Sequence, residues 1–186
     1  MKKLLIIISL IILTIISLFI EKDLSNLIIN NRIDFLNQIF IVITYAGPYI
    51  TFFLTTLFLF SKNKKNYMLA FWLSFLITIL ILEIIKIGVA RPRPELTALV
   101  KATGYSFPSM HTALAFLPLI FIDNKKWRLF WFIFALLVAF SRLYLGVHYL
   151  SEVLAGALIA YLVGYITLTI ERKYKLLANL IDRIKY

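Results

Sequence analysis

The sequence predicts an all-α, polytopic membrane protein, a bundle of six transmembrane helices forming a single domain over residues 1–186, and three observations carry that prediction. Hydrophobic residues make up 62% of the 186 and charged residues only 16%, against roughly half and a quarter in ordinary soluble domains. The apolar residues gather into runs of about 17 to 20, near the length needed to cross a hydrocarbon core of ~30 Å. Short stretches rich in charge separate the runs, among them SKNKKN at 61–66 and DNKK at 123–126.

Met1-Lys2-Lys3 and the apolar run that follows have the basic start and apolar centre of a signal peptide. No small-residue A-x-A pattern comes after them, and the run passes directly into Glu21-Lys22-Asp23, so it reads as a retained first span, 4–20, starting in the cytoplasm. Residues 24–40 hold Asn26, Asn30, Asn31, Arg32, Asp34, Asn37 and Gln38, too many polar groups for hydrocarbon. An interfacial helix on the outer surface, or an ordered polar loop, is expected there. The second span is 41–60, with Gly47-Pro48 as a kink near its outer end. The third, 68–86, delivers Lys86 to the outer boundary, and Glu83, one turn earlier, is read as an interfacial residue rather than its partner. After a proline-broken loop, Ser109 or Ser106 caps a fourth span, 107–122. Spans 129–145 and 150–170 complete the bundle and leave a basic tail, 171–186.

Both termini then lie in the cytoplasm, and the charge distribution agrees. Thirteen of the 20 basic residues fall in cytoplasmic segments, as the positive-inside rule asks. Trp127, Trp131, Tyr67, Tyr105, Tyr144 and Tyr149 fall near span ends, where an aromatic belt would place them. In a soluble chain a formal charge of +11 would point to nucleic acid. Here the basic residues sit mainly in short loops between apolar runs, and no nucleic-acid partner is expected. With no cysteine, disulfides and thiolate metal sites are excluded.

On this topology Lys86, Arg93, His111, Arg142, His148 and Glu152 converge on the outer face from four different spans. A cation near the membrane boundary carries a desolvation cost, about 2.5–3.5 kcal/mol at mid-bilayer and less at the interface. Several of them with few acidic partners call for an external anion, and phosphate suits them, because Arg grips it through paired hydrogen bonds while Lys acts as a point charge. The turn Phe107-Pro108-Ser109-Met110-His111 would add free amides at a helix start. His148 and Glu152, four residues apart, share one helical face, so the carboxylate can hold one imidazole nitrogen and present the other as nucleophile or base. His111 is a second proton-transfer group. Phosphoryl transfer through a phosphohistidine, with no metal and no cofactor, is the chemistry these residues fit.

Lys86-x6-Arg93-Pro94, Pro108-Ser109-Met110-His111 and Ser141-Arg142-x5-His148-x3-Glu152 resemble the three-part signature of the type 2 phosphatidic acid phosphatase family, K-x6-R-P, P-S-G-H and S-R-x5-H-x3-D. The resemblance implies that Lys86, Arg93 and Arg142 bind the phosphoryl group, with Ser109 and neighbouring amides, including that of Met110, completing the cradle. It implies that His148 attacks phosphorus, Glu152 orients it and His111 protonates the leaving oxygen. Arg91-Pro92 lies outside the family spacing and reads as a structural or headgroup contact. Met110 stands in place of the usual Gly and Glu152 in place of the usual Asp, so a reshaped cradle is expected. The implied protein is a metal-independent phosphatase of the bacterial cytoplasmic (inner) membrane, its site facing the periplasm or exterior. Its partner would be a lipid with a phosphate or diphosphate headgroup: undecaprenyl diphosphate first, lipid A phosphate next, then phosphatidylglycerol phosphate or phosphatidic acid. A lipid phosphotransferase and a non-catalytic phospholipid-binding scaffold or transporter are the alternatives. Headgroup choice is expected to lie in 95–107 and 24–40.

Overall fold

The computed structural model describes residues 2–94 and 98–184, and every regular element among them is helical. In chain order these are α1 (Lys2–Asn30), α2 (Asp34–Ser61), α3 (Lys65–Val89), α4 (Met110–Phe116), a 3₁₀ turn (Leu117–Ile120), α5 (Lys125–Tyr144), α6 (Leu150–Tyr174) and α7 (Leu176–Ile184). Five of them, α1, α2, α3, α5 and α6, are long and apolar enough to cross a membrane. Large apolar side chains cover the outside of the bundle, with Phe19 82% exposed and Phe35 75%, a surface suited to lipid rather than water.

The expected fourth span, 107–122, is much shorter. Only Met110–Ile120 is helical there, and Pro118, which lacks an amide hydrogen, lies in the 3₁₀ portion. Seven α-helical and four 3₁₀ residues rise about 18 Å, little more than half of the hydrocarbon thickness. The segment is sheathed by protein instead: Thr112, Ala113, Leu114, Ala115, Leu117 and Pro118 are all buried. Backbone that is not fully helical survives at membrane depth only under such cover.

The region 20–40 also departs from expectation. The first helix does not stop at Ile20 but runs on to Asn30. Ser17, Glu21 and Ser25 recur every fourth residue, so they form one stripe, and each is 4% exposed or less. Of the polar residues beyond, Asn26 and Asn30 lie in α1, Asn31 and Arg32 in a tight turn, and Asp34, Asn37 and Gln38 at the start of α2, so no separate interfacial helix forms. Arg32 Nε donates to the Tyr144 carbonyl at 2.8 Å, the Ile33 amide to the Tyr144 hydroxyl at 2.9 Å, and Asn37 Oδ1 lies 3.0 Å from that hydroxyl. α2 then passes through Pro48 as one helix. Gly47 lets Val138 of α5 approach, since a Cβ there would stand 2.9 Å from Val138 Cγ2.

Trp131 and Tyr144, expected in an interfacial belt, are buried at 1% and 4% exposure, Trp131 edge-on to Phe130 and Phe134. Residues 171–186 are not simply a tail either. α6 continues to Tyr174, Lys175 turns the chain in a left-handed conformation, and Glu171 accepts the Leu177 and Ala178 amides at the start of α7. One end of the bundle therefore carries the connections at 62–64, 121–124 and 175, tied by Lys64 to Asp123 at 2.7 Å and Asn66 to Glu171 at 3.1 Å. The other end carries the turns and loops at 31–33, 90–94, 98–109 and 145–149.

Candidate active site

At that second end, three helix termini and a loop deliver the charged residues. α3 stops where Ala90 takes a left-handed conformation, its amide bonded to the Lys86 carbonyl, which sets Lys86 in the last helical turn. Lys86 Nζ lies 3.3 Å from Glu83 Oε1, so the two pair, contrary to the interfacial reading of Glu83. The prolines at 92 and 94 hold Arg91 and Arg93 out of helical conformation. Arg142 occupies the last turn of α5, His148 the turn after it and Glu152 the first turn of α6.

These elements enclose a cavity of about 560 Å³ whose walls include Lys86, Arg93, Met110, His111, Arg142 and His148. Glu152 and Ser109 do not reach the wall. Glu152 stands behind His148 with no exposed surface, Oε2 2.8 Å from His148 Nδ1 and 3.2 Å from the Tyr149 amide. Its Oε1 receives the Ser106 hydroxyl at 2.8 Å and lies 3.3 Å from Arg91 Nε. A carboxylate only accepts, so Nδ1 carries the imidazole hydrogen and Nε2 holds the lone pair. Burial, and after it the charges of Arg142, Arg93 and Lys86, push the His148 pKa well below its usual value. The ring is therefore neutral and keeps a lone pair on Nε2.

The two arginines are held differently. Arg142 is 4% exposed; one terminal nitrogen donates to the Thr44 hydroxyl, and its buried Nε has no hydrogen-bond partner among the described residues. Arg93 is bound to the loop around it: Nε donates to Gly104 O at 3.1 Å, Nη2 to Thr103 O at 2.8 Å and Nη1 to Val147 O at 3.1 Å. Nη1 also lies 3.4 Å from His148 Nε2. Burial lowers the Arg93 pKa from its ordinary value, and Glu152 opposes that shift.

Ser109 precedes α4 without capping it through its side chain; its amide donates to the Glu152 carbonyl at 3.0 Å and its hydroxyl accepts from Thr112 at 3.0 Å. Ser106, the other expected cap, holds Glu152 instead. Met110 in place of Gly brings no backbone strain, because it is an ordinary helical residue absent from the left-handed region. Its side chain packs against the main core while facing the cavity. Sequence reasoning passed over Thr44, Ser151, Glu21 and Gly156 as site residues. A lone acid repeating at helical spacing with Ser17 and Ser25 was the one signal available for Glu21.

A profile of the PAP2 superfamily matches residues 67–175, a stretch that contains all three motifs. The chain belongs to the PAP2 superfamily. PAP2 members are phosphatases, and this chain is an enzyme of that class. It is similar to an undecaprenyl-diphosphatase of Sulfolobus acidocaldarius, 31% identical over 159 residues that cover 80% of this chain and 77% of that one. Its fold is like that of the transmembrane PAP2-type phosphatidylglycerolphosphate phosphatase of Bacillus subtilis, with a TM-score of 0.75, 23% identity, and 91% and 98% of the two chains covered. Aquifex aeolicus LpxE is similar as well, with a TM-score of 0.72, 29% identity, and 81% and 95% covered. Within the PAP2 frame the cavity, the buried His148–Glu152 pair and the arginines occupy one end of the bundle.

Proposed function

We propose that this chain removes phosphate from the phosphate or diphosphate headgroup of a membrane lipid, through a phosphohistidine formed on His148. One observation carries the reading: a buried, neutral, carboxylate-oriented imidazole turns its second nitrogen into a cavity whose wall also holds Lys86, Arg93 and Arg142. Among the described residues Arg93 and Arg142 donate to neutral oxygens and not to a carboxylate, and a phosphoryl group supplies the anion that such a cluster calls for.

The headgroup enters with its oxygens on Arg142, Lys86 and Arg93, and one of them takes over the Nη1 hydrogen now aimed at His148 Nε2. The freed lone pair attacks phosphorus while the bond to the leaving oxygen breaks, and His111, which takes up a proton as the anionic headgroup offsets the surrounding cations, gives that proton to the leaving oxygen. Water then attacks phosphorus, His111 takes its proton, and the P–N electrons return to Nε2. Ser109, buried behind the wall with its amide on the Glu152 carbonyl, contributes by holding the start of α4, where the Met110 amide completes the cradle. Glu152 keeps the ring in one tautomer throughout. The three cations supply the charge neutralisation that metal ions supply in other phosphoryl-transfer sites, so turnover should survive EDTA.

The site is proposed to face the periplasm or exterior of a cytoplasmic membrane, with both termini inside and six passes, the fourth made by the protein-sheathed α4 and 3₁₀ segment. In support, the end opposite the cavity holds Lys62, Lys64, Lys65, Lys125, Lys126 and Arg128. Undecaprenyl diphosphate is the favoured substrate, with the Sulfolobus relative's named activity in support; lipid A phosphate comes next. Part of the stretch expected to read the headgroup, 95–97, lies outside the described residues.

The test is phosphate release by purified protein in detergent from undecaprenyl diphosphate, lipid A phosphate, phosphatidylglycerol phosphate and phosphatidic acid, with EDTA present. Release from one or more lipids, abolished by His148→Ala, is expected. Near wild-type release by that variant would sink the mechanism.

A further inference from the structure

A second set of buried charges lies behind His148, on the side away from the cavity. Glu21 projects from the middle of an apolar helix and is only 4% exposed, a position no carboxylate holds without partners. Arg91 supplies them. Its Nη2 donates to Glu21 Oε1, its Nη1 donates to Ser151 Oγ at 2.9 Å, and the Ser151 hydroxyl donates to Glu21 Oε2. The remaining nitrogen, Nε, lies 3.3 Å from Glu152 Oε1, and the Tyr149 ring covers the guanidinium at 4.9 Å. One planar fork thus faces two carboxylates, Glu21 from α1 and Glu152 from α6.

The geometry has a direct consequence for the nucleophile. A guanidinium is rigid, so fixing its two terminal nitrogens on Glu21 and Ser151 fixes where its charge stands. Nε then lies 3.3 Å from Oε1 of Glu152 as an ion pair, the Ser106 hydroxyl lies 2.8 Å from the same oxygen, and a carboxylate held on one oxygen presents the other in a set direction, here to His148 Nδ1 at 2.8 Å. Loss of Glu21 frees Arg91 to turn and weakens its ion pair with Oε1. The structural reading of Arg91 fits this arrangement, since each of its three nitrogens faces a protein group.

We propose that Arg91, anchored by Glu21 and Ser151, is a positioning residue for the Glu152–His148 pair, which makes α1 part of the catalytic machinery. The inference rests on the phosphohistidine reading above. It places a functional carboxylate 46 residues before the segment that matches the family profile.

The experiment is steady-state kinetics of the full chain in detergent with whichever of the four lipids it hydrolyses, each rate normalised to monodisperse protein. Glu21→Gln keeps the shape of the side chain, removes its charge and turns one of the two acceptor oxygens into a donor; kcat should fall about tenfold with KM within about twofold. Arg91→Lys loses the fork and should lower kcat about a hundredfold, the scale on which misplacing a reacting group acts. In a Glu152→Asp background the carboxylate is one methylene short of Arg91, so Arg91→Lys should then cost less than about threefold further, a non-additivity expected only of groups in contact. Wild-type kcat in Glu21→Gln, a raised KM with kcat intact in Arg91→Lys, or equal losses in the two backgrounds would each overturn the proposal while His148→Ala remains dead. An active His148→Ala protein would instead overturn the phosphohistidine reading, and this proposal with it.

Discussion

Gly156 lies where α6 passes the Ser109 turn, and a Cβ built on it would stand 2.4 Å from the Ser109 carbonyl oxygen. That neighbour is backbone and cannot rotate away. Gly156→Ala should therefore push α4 off α6, cost about 2 kcal/mol or more as an overpacked contact, and lower kcat at least tenfold by shifting His111 and Ser109 relative to His148. Gly88→Ala is the matched control, since nothing lies within 4 Å of its added Cβ; it should leave kcat unchanged and raise Tm slightly through better helix propensity. Thermal melts and kcat of the two variants check this. The motif residues Lys86, Arg93, Arg142, His148 and Glu152 were legible as a cluster because helix ends and fixed spacings place them. Gly156 and Ser106 were not, because their roles depend on which backbone comes to rest beside them, and linear spacing says nothing of that.

At the scale of elements, the Tyr144 hydroxyl ties the α1–α2 turn to the end of α5 through the Ile33 amide and Asn37. Tyr144→Phe keeps the ring and removes these bonds, each worth about 1 kcal/mol. Its Tm should fall by a few degrees while kcat stays near wild type, because the tie does not touch the cavity wall; a large kcat loss would show that the turn positions Arg142. This turn also marks where hydropathy stopped being informative. The polar run 24–40 looked interfacial because its groups were judged against lipid or water, whereas Arg32 finds its partner on α5, and Glu21, just before the run, finds its partners on α6 and in the 90–94 loop. The same blindness affected the fourth span. Its apolar composition told of burial, but not that protein rather than lipid would do the burying.

For the molecule as a whole, the buried neutral His148 links stability to pH. Its folded pKa is depressed below about 6.5, so between that value and the unfolded one the unfolded chain binds the extra proton. The stabilising contribution is then complete above pH ~6.5 and is lost as pH falls toward the folded pKa. The empty protein in detergent should lose Tm on acidification below that point, and His148→Asn should flatten the dependence. An unchanged slope in the variant would place the titration elsewhere. That the chain is an all-helical membrane bundle with several spans was readable from composition, since it follows from apolar length. Depth was not. The eleven helical residues at 110–120 are too few to enter a bilayer unaided, and the helices that cover them, α5 and α6, are made later. The segment that carries His111 is therefore expected to settle between its neighbours only after α5 and α6 have followed it from the ribosome. Cleavage or truncation within α6 would strand it, so assembly of this protein is decided at its far end.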